Sequence, residues 1–227
     1  MDWTLQPTRI RKAIGRRYWD HYGKDAFVKS CPAGARLLDV GCGNNSPSYV
    51  KMRRPDLHYT GIDIGDYNQS EPPDQVADRY IVVPPQDFAS KIRDFQGTMD
   101  AVLSSHNIEH CDDPDATVAA MADALAPGGR LFMAFPCEAS VRFPSRRGTL
   151  NFFDDPTHKT VPQFAALVSG FRSCGLEVPV AIRRYRPLVN VLKGLRAEPV
   201  SWLQRRVFTG TWALYGFESI IWAVRPA

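Results

Sequence analysis

The sequence predicts an α/β domain, a mostly parallel sheet covered by helices on both faces. Three observations carry that prediction. Short apolar runs suited to strands buried on both sides recur near 36–40, 57–62 and 99–104. Between several such runs lie stretches whose apolar residues repeat at helical spacing. The first run, Leu37-Leu38-Asp39-Val40, ends in Gly41-Cys42-Gly43-Asn44-Asn45 and then Ser46-Pro47, which reads as a tight turn, an N-cap and a proline at the first helical position.

In chain order, 7–29 reads as one or two helices, with Ile10, Ile14, Tyr18 and Tyr22 near helical spacing, broken by Pro32-Ala33-Gly34. Further strands are expected at 79–83, 130–135, 178–183 and 217–224. Asp113-Pro114 opens a helix whose stripe is Val118, Met121, Ala122 and Leu125, with Pro127-Gly128-Gly129 as its end. Another helix starts near Thr160-Val161-Pro162, carries Phe164, Leu167, Val168 and Phe171 at i, i+3, i+4 and i+7, and stops at Gly175. The expected organisation is an N-terminal helical extension over 1–30 and one domain over 31–227. That domain carries a loop or lid at 137–160 and a basic helical insertion at 187–215, both longer than the connections they replace.

A chain of 227 residues, 44% hydrophobic and 23% charged, suits one globular α/β domain. It has no apolar run long enough to span a bilayer, and its polar, Arg-containing start does not read as a secretory leader. The five cysteines lack CxxC pairs, which points to reduced thiols, no zinc site and a cytoplasmic location. The net charge of +4 is unevenly placed: Arg9, Arg11, Lys12, Arg16 and Arg17 crowd the first segment, and seven basic residues from Arg183 to Arg206 crowd the last quarter. Such runs are commonly solvated helix faces. The alternative is attraction to an anionic acceptor or to the inner face of a membrane.

A glycine turn between strand and helix is the usual ligand crevice of an α/β fold. Ser46 stands where a dinucleotide fingerprint wants its third glycine, and no Gly-Lys-Ser/Thr follows, which disfavours a dehydrogenase-like binder and excludes a P-loop. Asp63, at the tip of the second strand, lies at the spacing at which an acid accepts from ribose hydroxyls; by itself it would read as a turn former. Four blocks then appear in order: Asp39-Val-Gly-Cys-Gly43, Asp63, Met99 to His110, and Leu125-Ala-Pro-Gly-Gly-Arg-Leu-Phe132. Together they resemble the class I S-adenosylmethionine-dependent methyltransferases, over roughly 36–136 and more weakly to the end.

The resemblance implies a three-layer Rossmann-like fold, with a seven-stranded sheet whose last strand inserts antiparallel beside the sixth. It implies S-adenosyl-L-methionine as cofactor, S-adenosyl-L-homocysteine as product, and cofactor contacts at Asp39, Gly41, Cys42, Gly43, Asp63, Ile64, Asp87, Phe88 and Ser105. In this family the glycine loop faces the methionine moiety, the acidic strand tip the ribose, and a later Asp, matched here by Asp87, the adenine amine.

The acceptor is not readable in the same way. A hydroxyl benefits from a general base, and histidine suits that role near neutral pH. His21 and His58 fall in an expected helix and strand, where structural roles are expected. Glu109-His110 resembles a Glu-His pair of this family that supports the loop and lines the cofactor pocket, which makes His110 a structural or a catalytic candidate. A subset acting on quinone-like phenols adds a metal-binding Glu three residues earlier; here that position is His106, and no metal is carried over. His158, in Asp154-Asp155-Pro156-Thr157-His158-Lys159, resembles an Asp-x-x-His-Lys/Arg stretch of bacterial polysaccharide and small-molecule methyltransferases and is the second catalytic candidate. Its plain alternative is an Asx turn and helix cap that leave His158 exposed.

These readings give methyl transfer to a hydroxyl of a sugar, glycan or other small molecule. The alternative is an inactive cofactor-binding partner or regulatory subunit. A nucleic-acid acceptor is disfavoured for want of an RNA-binding module. In 187–215, Trp202, Leu203, Val207, Phe208, Trp212, Leu214 and Tyr215 are expected to pack on the core as a covering helix, with docking at a membrane surface as the alternative.

Overall fold

The computed structural model describes residues 22–227; the expected helix positions Ile10, Ile14 and Tyr18, and His21, lie outside them. All seven expected strands form: β1 (Arg36–Val40), β2 (His58–Asp63), β3 (Arg79–Val82), β4 (Met99–Ser105), β5 (Leu125–Pro136), β6 (Glu177–Ile182) and β7 (Glu218–Val224). They make one sheet in the order β3-β2-β1-β4-β5-β7-β6. β1 to β5 run parallel, and β7 lies antiparallel between β5 and β6, as the resemblance implies. The carboxyl ends of β1, β2 and β4 therefore share one edge, where an α/β sheet opens its crevice.

Strand alternation builds the layers. Leu131 and Met133 of β5 belong to one core, with Val118 and Met121 of α5 (Pro114–Ala124) and Leu167 and Phe171 of α6 (Phe164–Ser173). Phe132 and Ala134, one residue out of phase, face the other core. There they meet Phe27 and Val28 of α1 (Lys24–Ser30) and Val50 of α2 (Ser46–Arg53). Period-two burial on both faces is what three layers require. Phe27 lies against Phe132 (centroids 5.6 Å) and edge-on to Trp222 (5.3 Å), whose Nε1 donates to the Tyr22 carbonyl at 2.7 Å. The short helices α3 (Pro73–Val76) and α4 (Phe88–Arg93) complete the first half. In the insertion, α7 (Leu188–Leu203) and α8 (Thr211–Tyr215) pack on each other.

Local expectations fail in three places, each for a tertiary reason. Leu125 starts β5 instead of ending α5, and Pro127-Gly128-Gly129 lies inside the strand. Gly129 is wedged there: a Cβ would sit 2.8 Å from the Ala126 carbonyl oxygen and 2.9 Å from that of Met99, beside the register shift between Met99 and Ala101. Asn45, in the left-handed region at φ 58°, occupies the N-cap of α2 in place of Ser46, whose hydroxyl is drawn into the core. Within the insertion, Trp212 and Tyr215 pack inward as expected, whereas Trp202 and Leu203 are exposed.

The 137–160 connection is firmly tied. Asp154 Oδ2 accepts from the amides of Arg146, Leu150 and Asn151. Arg146, 3% exposed, grips both Glu198 oxygens (2.6 and 2.8 Å) and the hydroxyls of Ser201 and Tyr215. The amide of Arg147 donates to Arg205 and that of Val207 returns a bond to Arg147. Connection and insertion thus form one cap over the sheet edge.

Phe27→Ala should destabilise the protein by about 3–5 kcal/mol through a cavity between α1 and β5, measured by denaturant unfolding. A change within 1 kcal/mol would deny α1 its place in the core.

Candidate active site

The glycine loop is shaped by its neighbours. Gly41 has φ 75°, and a Cβ there would lie 2.4 Å from Asn107 Cγ, so the turn after β4 abuts the turn after β1. Beneath the loop runs a buried polar chain. Lys24 Nζ donates to Ser46 Oγ (2.6 Å), Ser46 Oγ donates to Asp39 Oδ2 in a very short bond, and Tyr59 donates to the same oxygen at 2.7 Å. Asp39 Oδ1 is buried with no hydrogen-bond partner. Burial raises the Asp39 pKa and lowers that of Lys24.

Asp63 lies 7% exposed at the tip of β2, its Oδ1 accepting from the Ile64 amide at 2.7 Å. Burial pushes its carboxyl up to about 6, against backbone hydrogen bonds that pull it down. The segment after β2 laces over the glycine loop: the Asn44 amide donates to the Tyr67 carbonyl, Asn68 Nδ2 to Asn44 Oδ1, and Gln69 Nε2 to the Cys42 carbonyl. Gly43 lies beside Asp63 and Tyr67, and Ile64 is partly exposed next to Asp63.

The other expected contacts divide. Asp87 is exposed in the Pro85–Asp87 turn, and Ser105 is half-buried at the end of β4. The side chains of Cys42 and Phe88 lie in the hydrophobic cores, so the contacts expected of these two residues fall to their backbones. Burial drives the Cys42 thiol far upward and keeps it protonated. Lys24 carries no sequence signal for this site, because a contact between distant segments brings it there; His106 and Asn107 lie in the Met99 to His110 block, but nothing local announces their partners.

His106 follows β4 with φ 54°. Its Nδ1 meets Glu109 Oε1 at 3.2 Å and its Nε2 meets Glu218 Oε1 at 2.9 Å. Its ring packs against Trp212 and stacks on Phe217. Burial alone would lower its pKa; the two carboxylates outweigh that and raise it to about 10. His106 is therefore a fixed imidazolium at neutral pH and not a base.

Glu109 and His110 lie on the Ile108–His110 turn. The Glu109 carbonyl accepts from the amides of Lys159 (2.8 Å) and Thr160, which draws the 137–160 connection down onto this turn. His158 thereby meets His110, with ring centroids 4.8 Å apart. The exposed-loop alternative holds for the Asx turn, since Thr157 donates twice to Asp155 Oδ1, and fails for the histidine, whose side chain is 4% exposed beside Phe152. His158 Nδ1 faces the Phe152 carbonyl (2.6 Å) and His110 Nδ1 the Thr157 carbonyl (3.2 Å). A carbonyl only accepts, so both Nδ1 atoms carry protons, and in the neutral rings both Nε2 lone pairs remain open. Glu109 Oε2 is buried without a partner. Glu109, His110 and His158 each offer one ligand-capable atom, and these lie within 4.8 Å of one another.

A family model described as a methyltransferase domain matches residues 11–179. The chain belongs to the S-adenosylmethionine-dependent methyltransferases. The methyltransferase is 30% identical over 212 residues to a ubiquinone biosynthesis O-methyltransferase of Xanthomonas oryzae pv. oryzae, covering 85% of this chain and 75% of that one. Its fold is similar to that of an S-adenosylmethionine-dependent methyltransferase from Mesorhizobium loti (TM-score 0.61, 15% identity, 88% of this chain and 96% of that one). It is also similar to a phosphoethanolamine N-methyltransferase from Haemonchus contortus bound to S-adenosylhomocysteine (TM-score 0.57, 15% identity, 97% of this chain and 53% of that one).

His106→Asn should destabilise the methyltransferase by about 3 kcal/mol, since it strands two carboxylates. The His106 pKa is raised on folding, so its contribution is complete below about 6.5 and fades as pH rises toward 10. The gap in melting temperature between wild type and variant should narrow over that interval; a constant gap would contradict the imidazolium.

Proposed function

We propose that the methyltransferase transfers the methyl group of S-adenosylmethionine to a hydroxyl oxygen of a small molecule, with His158 accepting the hydroxyl proton. The His110–His158 pair carries this reading, because the carbonyl contact at His158 Nδ1 leaves its Nε2 open beside the turn that follows β4. The cofactor supplies an electrophilic methyl carbon and a neutral thioether leaving group, so the chain has to align the nucleophile and take one proton. His158 Nε2 takes it, and Asp155 Oδ2, 3.9 Å away, balances the imidazolium. His110 packs the base in place and offers a second open Nε2. The relatives named as O-methyltransferases support oxygen as the target. Sugars and glycans stay among the acceptors together with phenols.

The donor set fits this cofactor. Lys24 Nζ offers a donor and the unpartnered Asp39 Oδ1 an acceptor, the pair that the carboxylate and ammonium of the methionine end require. We assign the loop backbone at Gly41, Cys42 and Gly43 to that moiety, Asp63 to the ribose diol, and Ile64, Asp87 and the Phe88 backbone to adenine. Ser105 stands at the methyl-transfer edge. No helix among the described residues is long and apolar enough to cross a membrane. The five cysteines are free, which supports a cytoplasmic setting.

One observation favours a second reading. The buried, unpartnered Glu109 Oε2 with two imidazoles is a donor set suited to a divalent cation, which would acidify the acceptor hydroxyl in place of a histidine base. Chelation decides: turnover unchanged by EDTA supports the base, and turnover lost to EDTA and restored by a divalent ion supports the cation.

The acceptor reading is tested with methyl-labelled cofactor and a panel of phenols, sugars and glycans. A labelled methyl ether supports it; cofactor binding with no product, or transfer only to amines or carboxylates, overturns it. His158→Ala should lower kcat about 100-fold or more and leave the cofactor Kd within about twofold. Wild-type turnover would remove the base from His158. Asp63 supplies a pH signature. Only the carboxylate offers both oxygens as acceptors to the ribose diol, and protonation turns one of them into a donor, so affinity should be full above about 6 and fall below it, by at most about tenfold per pH unit. Calorimetry with S-adenosylhomocysteine should show that acid limb in the wild type and not in Asp63→Asn.

A further inference from the structure

α7 is built inside out. Its buried residues are Gly194 and Ser201, the small ones. Gly194 lies so close to α8 that a Cβ would sit 2.3 Å from the Gly210 carbonyl oxygen and 2.7 Å from Leu214 Cβ. Ser201 Oγ accepts from Arg146 and donates to the Arg206 carbonyl. The helix thus holds the protein by its small residues and turns large apolar side chains to solvent. Leu192 is 56% exposed, Leu195 55%, Trp202 69% and Leu203 76%. At 100° per residue, Leu188, Leu192, Leu195, Pro199 and Trp202 (i, i+4, i+7, i+11, i+14) form one stripe opposite Gly194 and Ser201. A contiguous apolar stripe of this length on the surface marks an interaction site.

Charge identifies what covers it. Lys193 and Arg196 lie along one side of the stripe on the helix, and Arg205 and Arg206 follow its end; all four are exposed. None of the four has a carboxylate partner among the described residues. From Arg183 to Phe217 the single acidic residue is Glu198, and both its oxygens are held by Arg146 and Tyr215. A second copy of the same face would bring these cations against their like, because an isologous contact repeats one patch on itself. An apolar stripe with Trp and Leu, bordered by unpaired Lys and Arg, matches the headgroup–acyl boundary of an anionic bilayer.

We propose that α7 is a membrane-docking helix that seats the methyltransferase on anionic lipid through Leu188, Leu192, Leu195, Trp202 and Leu203, with Lys193, Arg196, Arg205 and Arg206 at the headgroups. The Arg146–Glu198 bonds join α7 to the 137–160 connection that carries His158, so docking fixes the orientation of the acceptor side relative to the lipid. The docking surface does not depend on the identity of the acceptor.

The test is co-sedimentation of the full chain with vesicles of phosphatidylcholine alone or mixed with phosphatidylglycerol. The expected result is binding to the anionic vesicles that weakens with added salt and drops about tenfold or more in Leu192→Gln/Leu195→Gln and in Lys193→Glu/Arg196→Glu. Each of these positions is exposed, and an unchanged melting temperature and S-adenosylhomocysteine Kd confirm that fold and cofactor site are intact. Trp202 fluorescence, isolated by comparison with Trp202→Phe, should shift to the blue on docking. Equal binding to neutral and anionic vesicles, or wild-type binding by the Leu192/Leu195 variant, overturns the proposal. So does a lipid-free dimer that this variant abolishes.

Discussion

The imidazolium of His106 between Glu109 and Glu218 is the interaction on which the candidate active site depends. It joins the end of β4, the Ile108–His110 turn and the start of β7, three segments that would otherwise bring two carboxylates together at a sheet edge. Two such groups in a poorly solvated place repel, and a cation hydrogen-bonded to both removes the conflict. The left-handed backbone at His106 costs about 1–2 kcal/mol, and the two charge-assisted bonds offset it. With Glu109 held, its carbonyl can receive Lys159 and Thr160, and the position of His158 follows from that.

A second constraint sits in the cap. Arg146 is buried only because Glu198, Ser201 and Tyr215 supply partners from the insertion. The 137–160 connection and α7 are therefore tied to each other through Arg146. The proposed chemistry divides accordingly: the glycine-loop side of the sheet edge suits the methyl donor, and the cap carries His158, the proposed base, together with the apolar stripe of α7. The stripe is exposed for a packing reason. Gly194 is needed where α7 crosses Gly210, and that close approach sets the rotation of the helix and directs Leu192 and Leu195 outward.

The frame around the glycine loop was legible in the sequence, because it consists of local signals that all form: a buried strand, a glycine turn and an acid at the next strand tip. Gly41 illustrates the limit. Its spacing announced the turn, but the contact that demands a glycine there is with Asn107, 66 positions later. Cys42 and Phe88 matched a motif by position, yet their side chains turn into the cores because strand alternation and helix rotation decide direction. Lys24 was silent, as no local pattern marks a lysine that reaches Ser46 across the crevice. Leu125 was misplaced because Pro-Gly-Gly looks like a helix end, whereas pairing with β4 extends the strand back through it.

By itself, the sequence determined the fold class, the places of the seven strands and the glycine turn after β1. These follow from the period of burial and the stereochemistry of a glycine turn, which are properties of neighbouring residues. Only the tertiary structure decided that His106 is a clamped cation, that His158 is buried against His110, and that α7 shows its apolar face to solvent. Each depends on groups tens to more than a hundred residues apart that meet when the chain closes, and a chain pattern carries no record of such meetings.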